Sequence, residues 1–253
     1  MISLFDWNNK TKRKSLKDQF NNDPQKVITE HPLWRKNIIP HHPLYKNYFI
    51  IFDQLFDTKT MEKNVEIAQN NRQWINKNID SENKCWDSIT LKGLNGLSQD
   101  FLTETQLGIG NDNKYAYTPA MQNCEYFKDL LDSLNTEIYL VRLLKLKGGG
   151  KIDFHTDESV FKSKGNIIRC HIPIITNEKV KFRLGYPLKA PASGYNIWKA
   201  DLLDERYLEP GHVWYTNVNT LHGVINDSSE DRIHLVIDLR PTDDMLRRIH
   251  GLR

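Results

Sequence analysis

The chain has 253 residues, 39% of them hydrophobic, and a formal net charge of +3. That length and apolar share suffice for a real core in one large domain, and the charge is too small to mark a nucleic-acid partner; nine Lys/Arg against four Asp/Glu in residues 1–46 read as a solvated surface. Cys85, Cys124 and Cys170 are odd in number and lack a CxxC spacing, which argues against a disulfide framework and a thiolate zinc site and for reduced thiols. The opening "MISLFDWNNKTKRK" places its charges after a very short apolar stretch, and no run of eighteen apolar residues occurs anywhere. The expectation is a cytoplasmic protein with no membrane span.

In chain order, "NVEIAQNNRQWINKNI" (64–79) reads as helix, and "CWDSITLKGL" (85–94) as a strand. "MQNCEYFKDLLDSLNT" (121–136) reads as a second helix, with Cys124, Phe127, Leu130, Leu131 and Leu134 on one face of a 3.6-residue period. From residue 137 the character changes. "EIYLVRLLKLK", "NIIRCHIPIITN", "VKFRLGY", "HVWYTNV" and "DRIHLVIDL" are short runs rich in β-branched residues, separated by turn residues. Strands at this spacing without intervening helices predict an antiparallel sandwich or barrel. We therefore expect one domain over 1–253: mainly helical support over 1–136, which also offers a substrate-binding region, a β core over 137–240 and a C-terminal tail over 241–253.

The chemistry concentrates in three places. "KIDFHTDESVF" (151–161) follows the glycines 148–150 and carries His155 and Asp157 two apart. "EPGHVWYTNVNTLHGVIND" (209–227) carries His222. Two histidines and one carboxylate on one face of a metal, with the remaining positions open, form the ligand set of non-heme Fe(II) oxygenases. The third feature is a repeated Arg-x-His pair. In "IIRCHIPII", Arg169 and His171 share one face of a strand and Cys170, Ile172 and Ile174 the other; in "DRIHLVIDL", Arg232 and His234 oppose Ile233, Leu235, Ile237 and Leu239. Aliphatic faces packed between two sheets would send these arginines to solvent. Strands lining a barrel would send them into a pocket, where the planar guanidinium suits a carboxylate.

The four segments "FHTD", "RCHIPI", "PGHVWYTNVNTLHGVIND" and "DRIHLVIDL", in this order, resemble the aspartyl/asparaginyl β-hydroxylase-like branch of the Fe(II)/2-oxoglutarate-dependent dioxygenases, which includes bacterial proline hydroxylases. The resemblance covers roughly residues 137–240. It implies a mainly β fold with helical N-terminal support, a double-stranded β-helix (jelly-roll, cupin-like). It implies Fe(II) held by His155, Asp157 and His222, 2-oxoglutarate as cosubstrate with its distal carboxylate on Arg232, Arg169 and His171 beside it, and O2 as oxidant. The animal β-hydroxylases lack the carboxylate ligand, whereas this chain keeps Asp157, which moves it toward the small-molecule hydroxylases and away from halogenases.

The plainer alternatives are a turn-capping loop for His155 and Asp157, a surface ion pair of Arg232 with Asp231 or Asp238, and a core histidine for His171. The implied activity is hydroxylation of an unactivated C–H bond in an amino acid, peptide or small metabolite, with succinate and CO2 released. Desaturation, cyclisation and epimerisation begin with the same hydrogen abstraction and stay open, as does oligomeric state. The contrasting reading is a non-catalytic cupin-like metal or ligand-binding module, which has no use for an arginine ten residues past its last ligand. The candidates for substrate contacts are the N-terminal region, "DESVFKSKGN" (157–166) and the insert 183–207, whose Tyr186, Tyr195 and Trp198 either line a pocket or, as scattered aromatics more commonly do, pack on the outer face of a strand.

Overall fold

A computed structural model describes residues 49–76, 85–97, 114–155, 157, 167–189, 199–218 and 221–249. Among these, twelve strands run in chain order. They are β1 (Phe49–Leu55), β2 (Ile75–Asn76), β3 (Trp86–Leu94), β4 (Tyr115–Tyr117), β5 (Ile138–Leu146), β6 (Lys151–His155), β7 (Ile168–Ile175), β8 (Val180–Lys189), β9 (Lys199–Arg206), β10 (His212–Thr216), β11 (His222–Asn226) and β12 (Arg232–Leu239). Three α-helices accompany them: α1 (Thr58–Asn71), α2 (Glu125–Ser133) and α3 (Asp243–Ile249).

The strands form two antiparallel sheets. The larger has the order β1-β10-β7-β12-β5-β3-β2, with β4 on β3, and the smaller has the order β6-β11-β8-β9. From β5 onward the chain crosses repeatedly between them: β5 large, β6 small, β7 large, β8 and β9 small, β10 large, β11 small, β12 large. This winding is a jelly-roll, a double-stranded β-helix. The large sheet also draws on the chain before residue 137, because β3 pairs with β5 and β1 pairs with β10.

Helices cover the outer face of the large sheet. Cys170, Ile172 and Ile174 of β7 and Ile233, Leu235, Ile237 and Leu239 of β12 share one core with Met61, Val65 and Ala68 of α1 and Phe127, Leu130 and Leu131 of α2. The aliphatic faces are therefore spent on the helices, and Arg169, His171, Arg232 and His234, on the opposite face, are buried between the sheets. A second, smaller core of Leu146, Val180, Phe182, Trp214 and Val224 lies there. Both Arg-x-His pairs thus point inward.

The predicted apolar face of the second helix holds: Cys124, Phe127, Leu130, Leu131 and Leu134 are all buried. The first helix begins earlier and ends sooner than its periodicity suggested. Asp57 caps it by accepting from the Thr60 backbone N–H at 2.9 Å. Beyond Asn71 the chain turns extended at Arg72, and Ile75–Asn76 pairs with Ser88 and Asp87 of β3, where the Asn76 amide donates to Asp87 at 2.7 Å. Tertiary pairing here overrides a helical pattern. No helix among the described residues is long and apolar enough to cross a membrane.

Candidate metal centre

His155 ends β6 and His222 begins β11, and the two are direct cross-strand partners in the small sheet. Opposed residues in an antiparallel pair project from the same face, so sheet register alone brings the imidazoles together, with ring centroids 4.3 Å apart. Gly223 permits the close approach of β6: a Cβ there would lie 2.7 Å from the Ile152 carbonyl oxygen. Asp157 follows two residues after His155 and is tied back by its backbone N–H, which donates to the Val218 carbonyl at 3.0 Å. One ligand atom from each of His155, Asp157 and His222 lies within 4.8 Å of the others.

The donor set fits a divalent transition metal. Nδ1 of His155 lies 2.8 Å from the Asp153 carbonyl oxygen. Only a protonated Nδ1 can bond there, so in the neutral ring Nε2 keeps its lone pair, the tautomer a metal requires. That Nε2 is 3.5 Å from Asp157 Oδ1, and His222 Nε2 is 3.8 Å from Asp157 Oδ2. Phe182 stacks on His222 with rings 5.5 Å apart and 5° from parallel, fixing its plane. Two imidazoles and a carboxylate suit iron better than calcium or magnesium, which take oxygen donors. Burial alone would push the Asp157 carboxyl up. The Arg169 guanidinium, with His155 and His222, more than offsets this and holds it well below the usual carboxylate range.

Arg169 is not free in this arrangement. Its Nε and Nη2 donate to both oxygens of Asp238 at 2.6 and 2.8 Å, and its Nη1 donates to Asp157 Oδ2. Burial opposes its charge, but Asp238 and Asp157 raise its pKa regardless.

Arg232 has the opposite character. It is 2% exposed and pairs with no carboxylate among the described residues. Asp238 is taken by Arg169, and Asp231 accepts from the Gly148 backbone N–H at 3.1 Å. Among the described residues, the one side-chain partner of Arg232 is Nδ1 of His234 at 2.6 Å. Because that nitrogen accepts, the proton of neutral His234 sits on Nε2, which has no partner among the described residues; neither do Nε of Arg232 and both ring nitrogens of His171. Burial pulls the Arg232 pKa down to about 9. Burial first and then the Arg232 charge hold His171 and His234 well below the usual imidazole value. A buried, positive, under-bonded corner of this kind accommodates an anion rich in acceptor oxygens.

The structure thus brings His155, Asp157 and His222 together, puts Arg169 against Asp157, and places His171 and Arg232 between the sheets. Sequence reasoning named Asp238 only as an alternative surface partner of Arg232, whereas the structure buries it on the inward face of β12 and pairs it with Arg169. Strand parity was the available signal; its partner depended on a register that sequence does not print. The insert's Tyr195, Trp198 and Tyr186 side chain, and residues 158–166, lie outside the described residues.

No curated protein matches the chain. Among solved structures, the non-heme α-ketoglutarate-dependent carbocyclase SnoK from nogalamycin biosynthesis shares 9% identity, covering 82% of this chain and 86% of its own, at a TM-score of 0.51. A Pseudomonas putida prolyl-4-hydroxylase shares 9% identity over 79% of this chain and 95% of its own, at 0.44. HygX from Streptomyces hygroscopicus, solved with nickel and 2-oxoglutarate bound, shares 13% over 81% and 89%, also at 0.44. At such identities the likeness is one of fold. The family description aspartyl/asparaginyl β-hydroxylase matches residues 56–241, most of the chain and every strand from β2 to β12, and the protein belongs to that family of hydroxylases.

Proposed function

We propose that the protein is an Fe(II)- and 2-oxoglutarate-dependent dioxygenase that hydroxylates an unactivated C–H bond of an amino acid, a peptide or a related small metabolite. Arg232 carries this reading: a guanidinium 2% exposed, with no acid partner among the described residues, ten positions past His222. An unpaired buried cation is costly, and a protein keeps one where a ligand carboxylate completes it.

His155, Asp157 and His222 would hold the metal, and three protein ligands would leave it open to cosubstrate and dioxygen. Fe(II), when bound, supplies the oxidising chemistry by which dioxygen and 2-oxoglutarate convert C–H to C–OH, with succinate and CO2 as coproducts. The protein's own contribution is placement. Arg232 takes the distal carboxylate through its planar fork, while His234 orients that fork by accepting from Nη2. His171 Nε2 and Nδ1 and His234 Nε2 offer further buried polar atoms beside it. The packed aromatic Phe182, flanked by His171 and His222, keeps the metal side dry and the His222 plane fixed. No nucleophile or general base is required; rate comes from holding one C–H bond near the metal.

The test is turnover under 18O2 with Fe(II), 2-oxoglutarate and a panel of amino acids, dipeptides and cell extracts. Expected are one labelled oxygen in the product, one in succinate, and stoichiometric CO2. A product lighter by two hydrogens would assign desaturation to the same site. Absence of succinate with every candidate and in the uncoupled reaction would overturn the proposal in favour of a non-catalytic metal-binding jelly-roll.

A further inference from the structure

Among the inward-facing residues of the large sheet, one acid stands apart. Asp238 sits on β12 directly opposite Arg169 on β7. Both side chains are buried, 5% and 7% exposed, and Asp238 takes Arg169 at both carboxylate oxygens, at 2.6 and 2.8 Å. This fork-to-fork contact fixes the plane and the position of the guanidinium. Its remaining terminal nitrogen, Nη1, then lands on Oδ2 of Asp157. The chain of contacts runs from a rigid sheet strand, through a locked arginine, to a carboxylate that the short segment after β6 carries.

We infer that Asp238 and Arg169 form a support for the metal-ligand carboxylate, in which Asp238, touching neither metal nor cosubstrate, is a positioning residue that acts through Arg169 on Asp157. The inference rests on His155, Asp157 and His222 being the metal ligands, and it extends that reading to the residues behind them.

Three physical consequences follow. First, Arg169 occupies Oδ2, so Oδ1, 3.5 Å from His155 Nε2, is the oxygen left to bind metal. The carboxylate is thereby held to one-point ligation, which keeps a position free for other ligands. Second, the charges balance in a particular way. Asp157, Arg169 and Asp238 together carry one net negative charge; neutralising Asp238 leaves the group with none facing a divalent cation, and frees Arg169 to compete fully for Asp157. Third, the arginine of the β7 Arg-x-His pair serves the metal while the arginine of the β12 pair, Arg232, is left for an anion. The two similar motifs thus divide their work because one faces an acid across the strand pair and the other does not.

Outer partners of metal ligands typically change metal affinity about 10- to 100-fold when removed. The experiment is a double-mutant cycle on the full chain, read by Co(II) affinity in calorimetry and by the ligand-field absorption of bound Co(II), neither of which needs turnover. Asp238→Asn keeps the shape and removes the charge; it should weaken Co(II) about tenfold or more and alter the absorption band. Arg169→Lys, which keeps a cation but loses the fork, should do the same. In an Asp157→Ala background, which binds more weakly from the start, neither change should matter further, because the carboxylate they act on is gone.

Additive losses in that background would show a general structural role and overturn the inference, as would Asp238→Asn binding Co(II) like the parent. Melting temperature and circular dichroism accompany each variant; should Asp238→Asn fail to fold, the Arg169→Lys arm of the cycle carries the same decision. A parent protein that binds neither Co(II) nor Fe(II) would remove the metal centre itself, and with it this support, an outcome distinct from additivity in a parent that binds.

Discussion

Replacing Arg232 by Met separates cosubstrate binding from folding, and the two effects should have opposite signs. A charge-assisted, bidentate contact contributes about 1.5–3 kcal/mol. At about 1.4 kcal/mol per tenfold, Arg232→Met should weaken 2-oxoglutarate by about ten- to a hundredfold or more. Without cosubstrate the side chain is a liability. Burial pulls its pKa to about 9, yet a guanidinium stays protonated at neutral pH, so the cost appears as lost stability.

The fall from the ordinary 12.5 to about 9 corresponds to about 5 kcal/mol. That cost is constant at every pH below about 9. Against it stands the bond to His234 Nδ1, whose loss costs about 1–2 kcal/mol. The net is about 3–4 kcal/mol in favour of the variant, or a rise in Tm of roughly 6–16 °C for a chain of this size. Calorimetry with anaerobic metal-loaded protein gives the first quantity, and thermal unfolding of the cosubstrate-free protein gives the second. For the same reason 2-oxoglutarate should raise the Tm of the parent and not of the variant. A variant that binds 2-oxoglutarate as tightly as the parent, or that melts well below it, would refute the reasoning.

Three further outcomes are expected. His171 and His234 have depressed pKa values in the fold, so they contribute stability that is complete above the unfolded imidazole value near 6.5 and is lost as pH falls below it; urea titrations between about pH 6.5 and 5 should show a slope near 1.4 kcal/mol per pH unit per histidine, and His234→Gln should remove one of the two. Asn226 is fully buried, its amide donates to the carbonyls of Leu146, Lys147 and Glu230, and its oxygen accepts from Ser228; Asn226→Ala strands those groups and should cost about 2–4 kcal/mol in denaturant unfolding. Gly223→Ala would drive a methyl to 2.7 Å from the Ile152 carbonyl; it should push β6 from β11, weaken Co(II) binding about tenfold and cost about 1–3 kcal/mol, with an unchanged affinity contradicting the role of sheet register.

How much of this was legible beforehand depended on what each segment carries. β3, β5, β7, β8, β10 and β12 were readable because their aliphatic residues alternate or run continuously. Among the strands that escaped are β6 and β11, which carry the two candidate histidine ligands. "KIDFH" and "HGVIN" are five residues each and carry mostly half-buried or polar positions, so they lack the apolar period that marks a strand. Their candidate ligands were proposed from chemistry and from resemblance. The β1 edge, "FIIFDQL", is apolar at one end only, its last three residues being exposed. In α1 the missed start was the Asp57 cap, a side-chain contact that periodicity does not weigh.

The orientation of the Arg-x-His faces shows where sequence stops and why. Parity established that Arg169 and His171 share a face, and that Arg232 and His234 do, but it assigned no direction to either face. Direction came from the helices: Phe127, Leu130, Leu131, Met61 and Val65 need an apolar surface, and the outer face of β7 and β12 is the one they cover. Once they do, the polar face has nowhere to go but inward, and four charged or titratable side chains from two adjacent strands must be neutralised there. Register then decides their fates. Arg169 meets Asp238 across the strand pair, whereas His234 meets Pro173 and Arg232 pairs across β5 with Leu146. One arginine is therefore satisfied by the fold and can lean on a metal ligand. The other is left wanting a carboxylate, and that want is the physical basis for assigning it a cosubstrate.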